Sequence, residues 1–146
     1  MRGYAQPDHQ VLVANLRTFR HYNQHRISLL RTSLSQKKLA VFDLIPLLLH
    51  ENQPHLPGYV QDDVPAGIAS YRMSQRVAET AQRLFPEATV VHGAKPRLHF
   101  RFLTIMGSAG TVGFTKKSDL DYWVGMDMTK VSSHQIDALK RKFGEI

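Results

Sequence analysis

Met106-Gly107-Ser108-Ala109-Gly110-Thr111-Val112-Gly113-Phe114-Thr115-Lys116-Lys117-Ser118-Asp119-Leu120-Asp121-Tyr122-Trp123-Val124 holds most of the chemistry in this chain. β-Forming residues alternate over 98–106, which predicts a strand that runs into a Gly-Ser turn, and 120–124 predicts a second strand after it. Side chains alternate across a strand, so Asp119 and Asp121 are expected on one face and Leu120 and Tyr122 on the other. Two carboxylates held together repel and lose hydration, and a cation relieves both costs. Mg2+ (or Mn2+) suits them, because a hard ion takes carboxylate oxygens and completes its shell with water and phosphate. The Gly107-Ser108 turn offers backbone N–H groups and a hydroxyl to an anion such as a triphosphate, and Lys116 and Lys117 add positive charge. The expected metal ligands and catalytic residues are therefore Asp119 and Asp121. The expected nucleotide-binding residues are Gly107, Ser108, Lys116 and Lys117. Each element recurs alone in unrelated turns and strands; their order and spacing carry the inference.

Upstream of that stretch the chain reads as helical. Asp8 is placed to cap a long amphipathic helix with Leu12, Leu16, Phe19, Tyr22, Ile27, Leu30 and Leu34 at near-helical spacing, its polar middle allowing a break into two. Residues 38–50 predict a second, nearly all-apolar helix that is buried, with Pro46 kinking it or starting a fresh turn. The proline and glycine density of 52–67 predicts an ordered irregular loop. Ser74 caps a helix carrying Val77, Ala78, Ala81, Leu84 and Phe85, which Pro86 stops. A short strand is expected at 89–91, with a turn at 92–96. After the second strand, Ser132 and Gln135 form a capping box for a last helix whose inner face is Ile136, Leu139 and Phe143. Tyr122 and Trp123 are read as core aromatics, a base-stacking platform being the alternative.

The chain has 146 residues, 42% hydrophobic and 21% charged, values ordinary for one globular domain. It contains no cysteine, which excludes disulfides, thiolate metal sites and a cysteine nucleophile and fits the cytoplasm. No apolar run suggests a signal peptide or a membrane span, so a soluble, intracellular protein is expected. The net charge of +7 favours a polyanionic partner without choosing among nucleic acid, acidic protein, anionic lipid and nucleoside triphosphate. Basic residues are spread along the chain, and the front group, including Arg17, Arg20, Arg26 and Arg31, reads as a solvated surface. His50 and His55, with Asp62 and Asp63 further on, match no zinc spacing and read as loop hydrogen-bonding groups.

A strand, Gly-Ser, and then Asp-x-Asp opening a strand resembles the nucleotidyltransferase superfold shared with DNA polymerase beta. Two stretches further resemble the N-terminal catalytic region of class I, enterobacterial-type adenylate cyclases. One runs from Leu44-Ile45-Pro46-Leu47-Leu48-Leu49-His50 through Pro54-His55-Leu56-Pro57-Gly58-Tyr59-Val60 to Val64-Pro65-Ala66-Gly67-Ile68 and Tyr71; the other is the stretch quoted first. The resemblance implies an α+β fold: a small mixed β-sheet of the nucleotidyltransferase kind with flanking helices, preceded by a helical N-terminal segment. It divides the chain into a helical segment and loop at 1–72 and a core at 73–146 that is expected to be incomplete at the C-terminus. It implies ATP as substrate, cyclic AMP and pyrophosphate as products, and a third carboxylate on a following strand. Asp127, Asp137 and Glu145, the acids after Asp121, sit on no convincing strand. A C-terminal catalytic or regulatory region, or a partner chain, is therefore expected to complete the site, and this chain alone to bind Mg·ATP with little cyclisation.

Two other functions remain open from sequence. One is nucleotidyl transfer to RNA, a small molecule or a protein through the same metal pair. The other is a non-catalytic module that binds nucleotide, or nucleic acid through the basic front helices; the loop motif argues against the first of these two, and nucleic acid is not the expected partner.

Overall fold

The computed structural model describes residues 8–88 and 97–146. The strand expected at 89–91 and the turn at 92–96 lie outside the described residues. The chain divides into two compact units. The first comprises Met1–Leu34 and Gly107–Leu120, the second Ser35–Met106 and Asp121–Ile146.

The first unit is built on helix α1, His9–Ser33. Asp8 caps it by accepting the Gln10 N–H, one of the donors that the first helical turn leaves without an intrahelical acceptor. The helix runs unbroken through its polar middle. Its expected apolar face is nevertheless largely exposed: Leu12, Leu16, Phe19, Tyr22 and Ile27 all lie open, while Leu30 is buried. The physical reason is in the sequence, where arginines, histidines and glutamines interrupt the apolar positions and leave only a weak stripe.

The second unit opens with α2, Gln36–His50, capped by Ser35. Pro46 lies inside α2 without ending it. The nearly all-apolar composition has a consequence for packing, because α2 feeds two cores at once. Leu44, Leu47 and Leu48 pack with Leu56, Val77 and Ala81 against α3, Gln75–Leu84. Leu49 joins Val64, Ile68, Phe100, Ala138 and Leu139 on the other side. Ser74 caps α3 as expected, and Arg76 of α3 reaches Asp43 of α2 at 3.4 Å.

Strands β1, Phe100–Met106, and β2, Asp121–Met126, form an antiparallel pair. The small mixed sheet expected from sequence is thus, among the described residues, a two-stranded antiparallel sheet with one isolated parallel bridge, Ile68 to Phe100. The segment around Ile68 makes no longer ladder because it turns sharply on both sides. Gly67 takes φ +88°, and Ser70 takes φ +62°. A side chain at Gly67 would also collide with the backbone of Arg97, so glycine is required there for conformation and for space. Leu103, Val124 and Met126 line the inner face of the pair, which packs on Ala138 and Leu139 of α4, Ser133–Glu145.

Both halves of the expected capping box are present at the start of α4: the Ser132 hydroxyl accepts the Gln135 N–H, and the Gln135 side chain accepts the Ser132 N–H. The inner face differs from expectation. Ala138, Leu139 and Lys142 are buried, whereas Phe143 is 44% exposed. Lys142 can turn inward because its ammonium donates to the Glu51 carbonyl at 2.9 Å and the Asn52 side-chain oxygen at 3.2 Å, leaving the stem to fill space beside Gly58.

Burial lowers the Lys142 pKa from 10.5 to about 8, the Glu51 carboxylate opposing that shift. Between these values the unfolded chain carries a proton that the native chain has shed, so this group makes stability rise with pH from about 8 towards 10.5. Lys142→Met should flatten that rise relative to the parent in urea titrations between about pH 8 and 10. Parallel slopes in the two proteins would disprove it.

Candidate functional site

The expected site residues are distributed between the two units. Gly107, Ser108, Lys116, Lys117 and Asp119 belong to the first; Asp121 belongs to the second.

In the second unit, the register of the strand pair sets Asp121 opposite Met106, the residue that leads into Gly107. Asp121 is the first residue of β2, and Asp119 precedes the strand in an irregular segment. The strand alternation expected to present both carboxylates therefore applies to Asp121 and not to Asp119. The reason is that β1 ends at Met106, and with it the pairing that would extend β2 backwards. Asp121 and Trp123 alternate with half-buried Tyr122 and Val124, so the carboxylate and the indole share the outer face of β2. Trp123 is 60% exposed, which corrects its assignment to the core. Tyr122 is the inward aromatic. Burial, followed by the Asp43 charge, pushes its phenol up to about 12, and its hydroxyl has no partner among the described residues.

In the first unit, the Gly-Ser turn is shaped by specific bonds. Gly107 and Gly110 both adopt positive φ, +74° and +68°. The Ser108 carbonyl accepts the Thr111 N–H at 3.0 Å and the Thr111 hydroxyl at 2.7 Å. Arg26, from α1, donates through Nε and Nη2 to the Ala109 carbonyl at 3.2 and 2.6 Å, and through Nη2 to the Gly107 carbonyl at 3.1 Å. A Cβ at Gly110 would run into the Arg26 carbonyl, so the turn lies directly against the helix backbone there. The sequence alone reads Arg26 as a solvated surface charge, whereas its guanidinium is bound to the carbonyls of this turn. No local period could have found it, since its partners lie more than eighty residues away. Further along, Thr115 and Ser118 close a second turn through Thr115 N–H to Ser118 Oγ and Ser118 N–H to Thr115 O, both 3.0 Å; Lys116 and Lys117 lie at its exposed tip.

Asp119 and Asp121 are exposed, and neither takes a hydrogen bond or ion pair among the described residues, so their oxygens are available. Among those residues no group of three or more His, Cys, Asp or Glu could enclose a metal. Each carboxylate by its own chemistry is a donor that a hard divalent ion accepts. Two of the three later acids, Asp127 and Asp137, are committed elsewhere. Asp127 caps the short 3-10 turn Met128–Lys130 and meets Arg101 at 3.1 Å. Hydrogen bonds from Thr129, assisted by Arg101 and Lys130, hold its carboxyl down at about 2. Asp137 pairs with Lys140 at 3.0 Å.

The histidines of the loop motif are structural, as expected. His50 Nδ1 accepts the Ile68 N–H at 3.0 Å and its ring lies 4.7 Å from that of Tyr71; His55 meets Glu87 at 3.3 Å. Within the second unit a cavity of about 500 Å3 is bordered by Glu51, Asp62, Asp63, Arg97 and His99, none of them an expected site residue. No helix among the described residues is long and apolar enough to cross a membrane.

The fold and these residues define an α+β chain with a glycine-rich turn between two paired strands and free carboxylates where the second strand begins. A family model described as the adenylate cyclase NT domain matches residues 12–146, and the chain belongs to that family. Curated relatives agree: the adenylate cyclase of Pasteurella multocida (strain Pm70) is 36% identical over 108 residues, 70% of this chain and 13% of that protein. Those of Shigella flexneri and Escherichia coli (strain K12) are 32% identical over 122 residues, 82% of this chain and 14% of each. The chain thus spans about one seventh of the length of the relatives it matches. No solved structure matches it significantly.

Proposed function

We propose that this chain supplies the metal- and triphosphate-binding part of an adenylate cyclase active site, on a core of the nucleotidyltransferase kind. Asp119 and Asp121 bind Mg2+ or Mn2+; Gly107 and Ser108, helped by Lys116 and Lys117, bind the β- and γ-phosphates of ATP. The ribose 3′-oxygen attacks the α-phosphorus and loses its proton, the bond from that phosphorus to the bridging oxygen breaks, and cyclic AMP and pyrophosphate separate. A bound divalent ion supplies charge that favours the 3′-alkoxide and the departing pyrophosphate. The chain's own contribution is to hold the triphosphate still, Ser108 through its hydroxyl and the neighbouring amides through their N–H groups. The remaining catalytic and regulatory region is contributed by polypeptide such as the relatives carry beyond the matched part. ATP as substrate also places the activity in the cytoplasm.

One observation carries this reading beyond family membership. Asp121, unpaired and exposed, opens β2 opposite the residue that enters the Gly-Ser turn. The test uses Trp123, the sole tryptophan, which shares the outer strand face with Asp121. Adding ATP with Mg2+ should change its fluorescence, and ATP with a chelator should leave it much less affected. Identical titrations with and without the metal would refute the assignment. Product analysis with ATP and candidate acceptors separates cyclisation from nucleotidyl transfer.

A further inference from the structure

A peptide unit is planar and trans, so a carbonyl that points one way sends the following residue's N–H the other way. This links the Arg26 contacts to the turn's capacity to bind an anion. With the Gly107 and Ala109 carbonyls both drawn to one guanidinium, the N–H groups of Ser108 and Gly110 both leave on the side away from it. The Ser108 carbonyl, held by Thr111, orients the Ala109 N–H in the same manner. Every carbonyl from Gly107 to Ala109 is thus occupied. By contrast, no acceptor among the described residues takes the N–H of Ser108, Ala109 or Gly110, although Ala109 and Gly110 are buried. Buried N–H groups without acceptors, here those of Ala109 and Gly110, are costly and uncommon, and with the Ser108 N–H they give successive donors of the kind that hold phosphate oxygens.

We propose that Arg26 is the positioning residue for this turn: it holds the peptide units of Gly107 and Ala109 so that the Ser108–Gly110 N–H groups face a phosphate group. The proposal rests on the reading of the turn as the triphosphate site and adds what sets its orientation. Tyr22, whose ring lies 5.8 Å from the guanidinium carbon, steadies Arg26 from the same helix. Lysine cannot replace arginine here, because a single ammonium keeps the charge but not the planar fork that reaches two carbonyls.

The experiment compares the parent chain with Arg26→Lys and Arg26→Ala, each first checked for a native circular dichroism spectrum. Hydrogen exchange without ligand should quicken about tenfold or more at the Thr111 amide, which the turn bonds to the Ser108 carbonyl, in both variants, with the α4 amides unchanged. Magnesium tripolyphosphate, titrated calorimetrically, should bind both variants about tenfold more weakly than the parent. Methylguanidinium should restore part of that affinity to Arg26→Ala, and sodium chloride at equal ionic strength should not. Unchanged exchange at the Thr111 amide overturns the proposal, as does parental affinity in Arg26→Lys, which would leave charge alone as the Arg26 contribution. If the parent does not bind tripolyphosphate, the phosphate reading falls, and faster exchange in the variants would then show Arg26 ordering the turn for some other purpose.

Discussion

A chain carrying Asp119→Asn and Asp121→Asn is expected to lose the magnesium-dependent part of its ATP affinity, by more than about a hundredfold. Both side chains are exposed and without partners among the described residues, so asparagine, nearly the same shape, should leave the fold untouched. What changes is charge: two anionic ligands become neutral amides that a hard divalent ion binds poorly. Calorimetric titration of ATP with and without Mg2+ reads this directly. The parent should show a large difference between the two titrations, and the variant should show almost none. A variant that keeps the parental magnesium dependence would remove both aspartates from the site, leaving the family relationship intact and the chemistry to be sought elsewhere.

Phe100→Ala should destabilise the second unit by about 3–5 kcal/mol, the cost of deleting a large buried side chain from a packed core. Phe100 is 0% exposed and lies in the cluster where Leu49 of α2, Ile68 of the loop and Leu139 of α4 meet. Its backbone takes part as well, donating to the Gly67 carbonyl at 2.9 Å and accepting from the Ala69 N–H at 2.8 Å. Those bonds survive the substitution, so the loss should come from the cavity. A loss this large is a substantial fraction of a domain's whole stability, and the urea midpoint should fall accordingly. A midpoint within experimental error of the parent would mean that α2, the loop and α4 do not depend on one shared core.

Local chemistry made much of the fold readable from residues alone. The caps at Asp8, Ser74 and Ser132 with Gln135 were legible because each satisfies helix N–H groups within a few residues of itself. The apolar run of α2 announced its burial. What failed depended on distant partners. The inward face of α4 was misjudged because Lys142 is admitted to the interior by oxygens ninety residues away. The start of β2 was set one residue too early, at 120, and Asp119 was read into its alternation, because β1, not the alternation of side chains, fixes where pairing begins. Trp123 lies outside since its strand pair packs on one face only. The candidate site was legible as a set of residue types in order. Arg26 was not, because an arginine on a polar helix reads as surface until its carbonyl partners are seen.

The hidden amine of Lys142 also makes the molecule its own clock. An acylating reagent, or a protease that cuts after lysine, meets this residue chiefly in molecules whose last helix has come loose. The rate of labelling at that one position, set against exposed lysines such as Lys117, therefore counts how often the C-terminal helix opens, without any added probe.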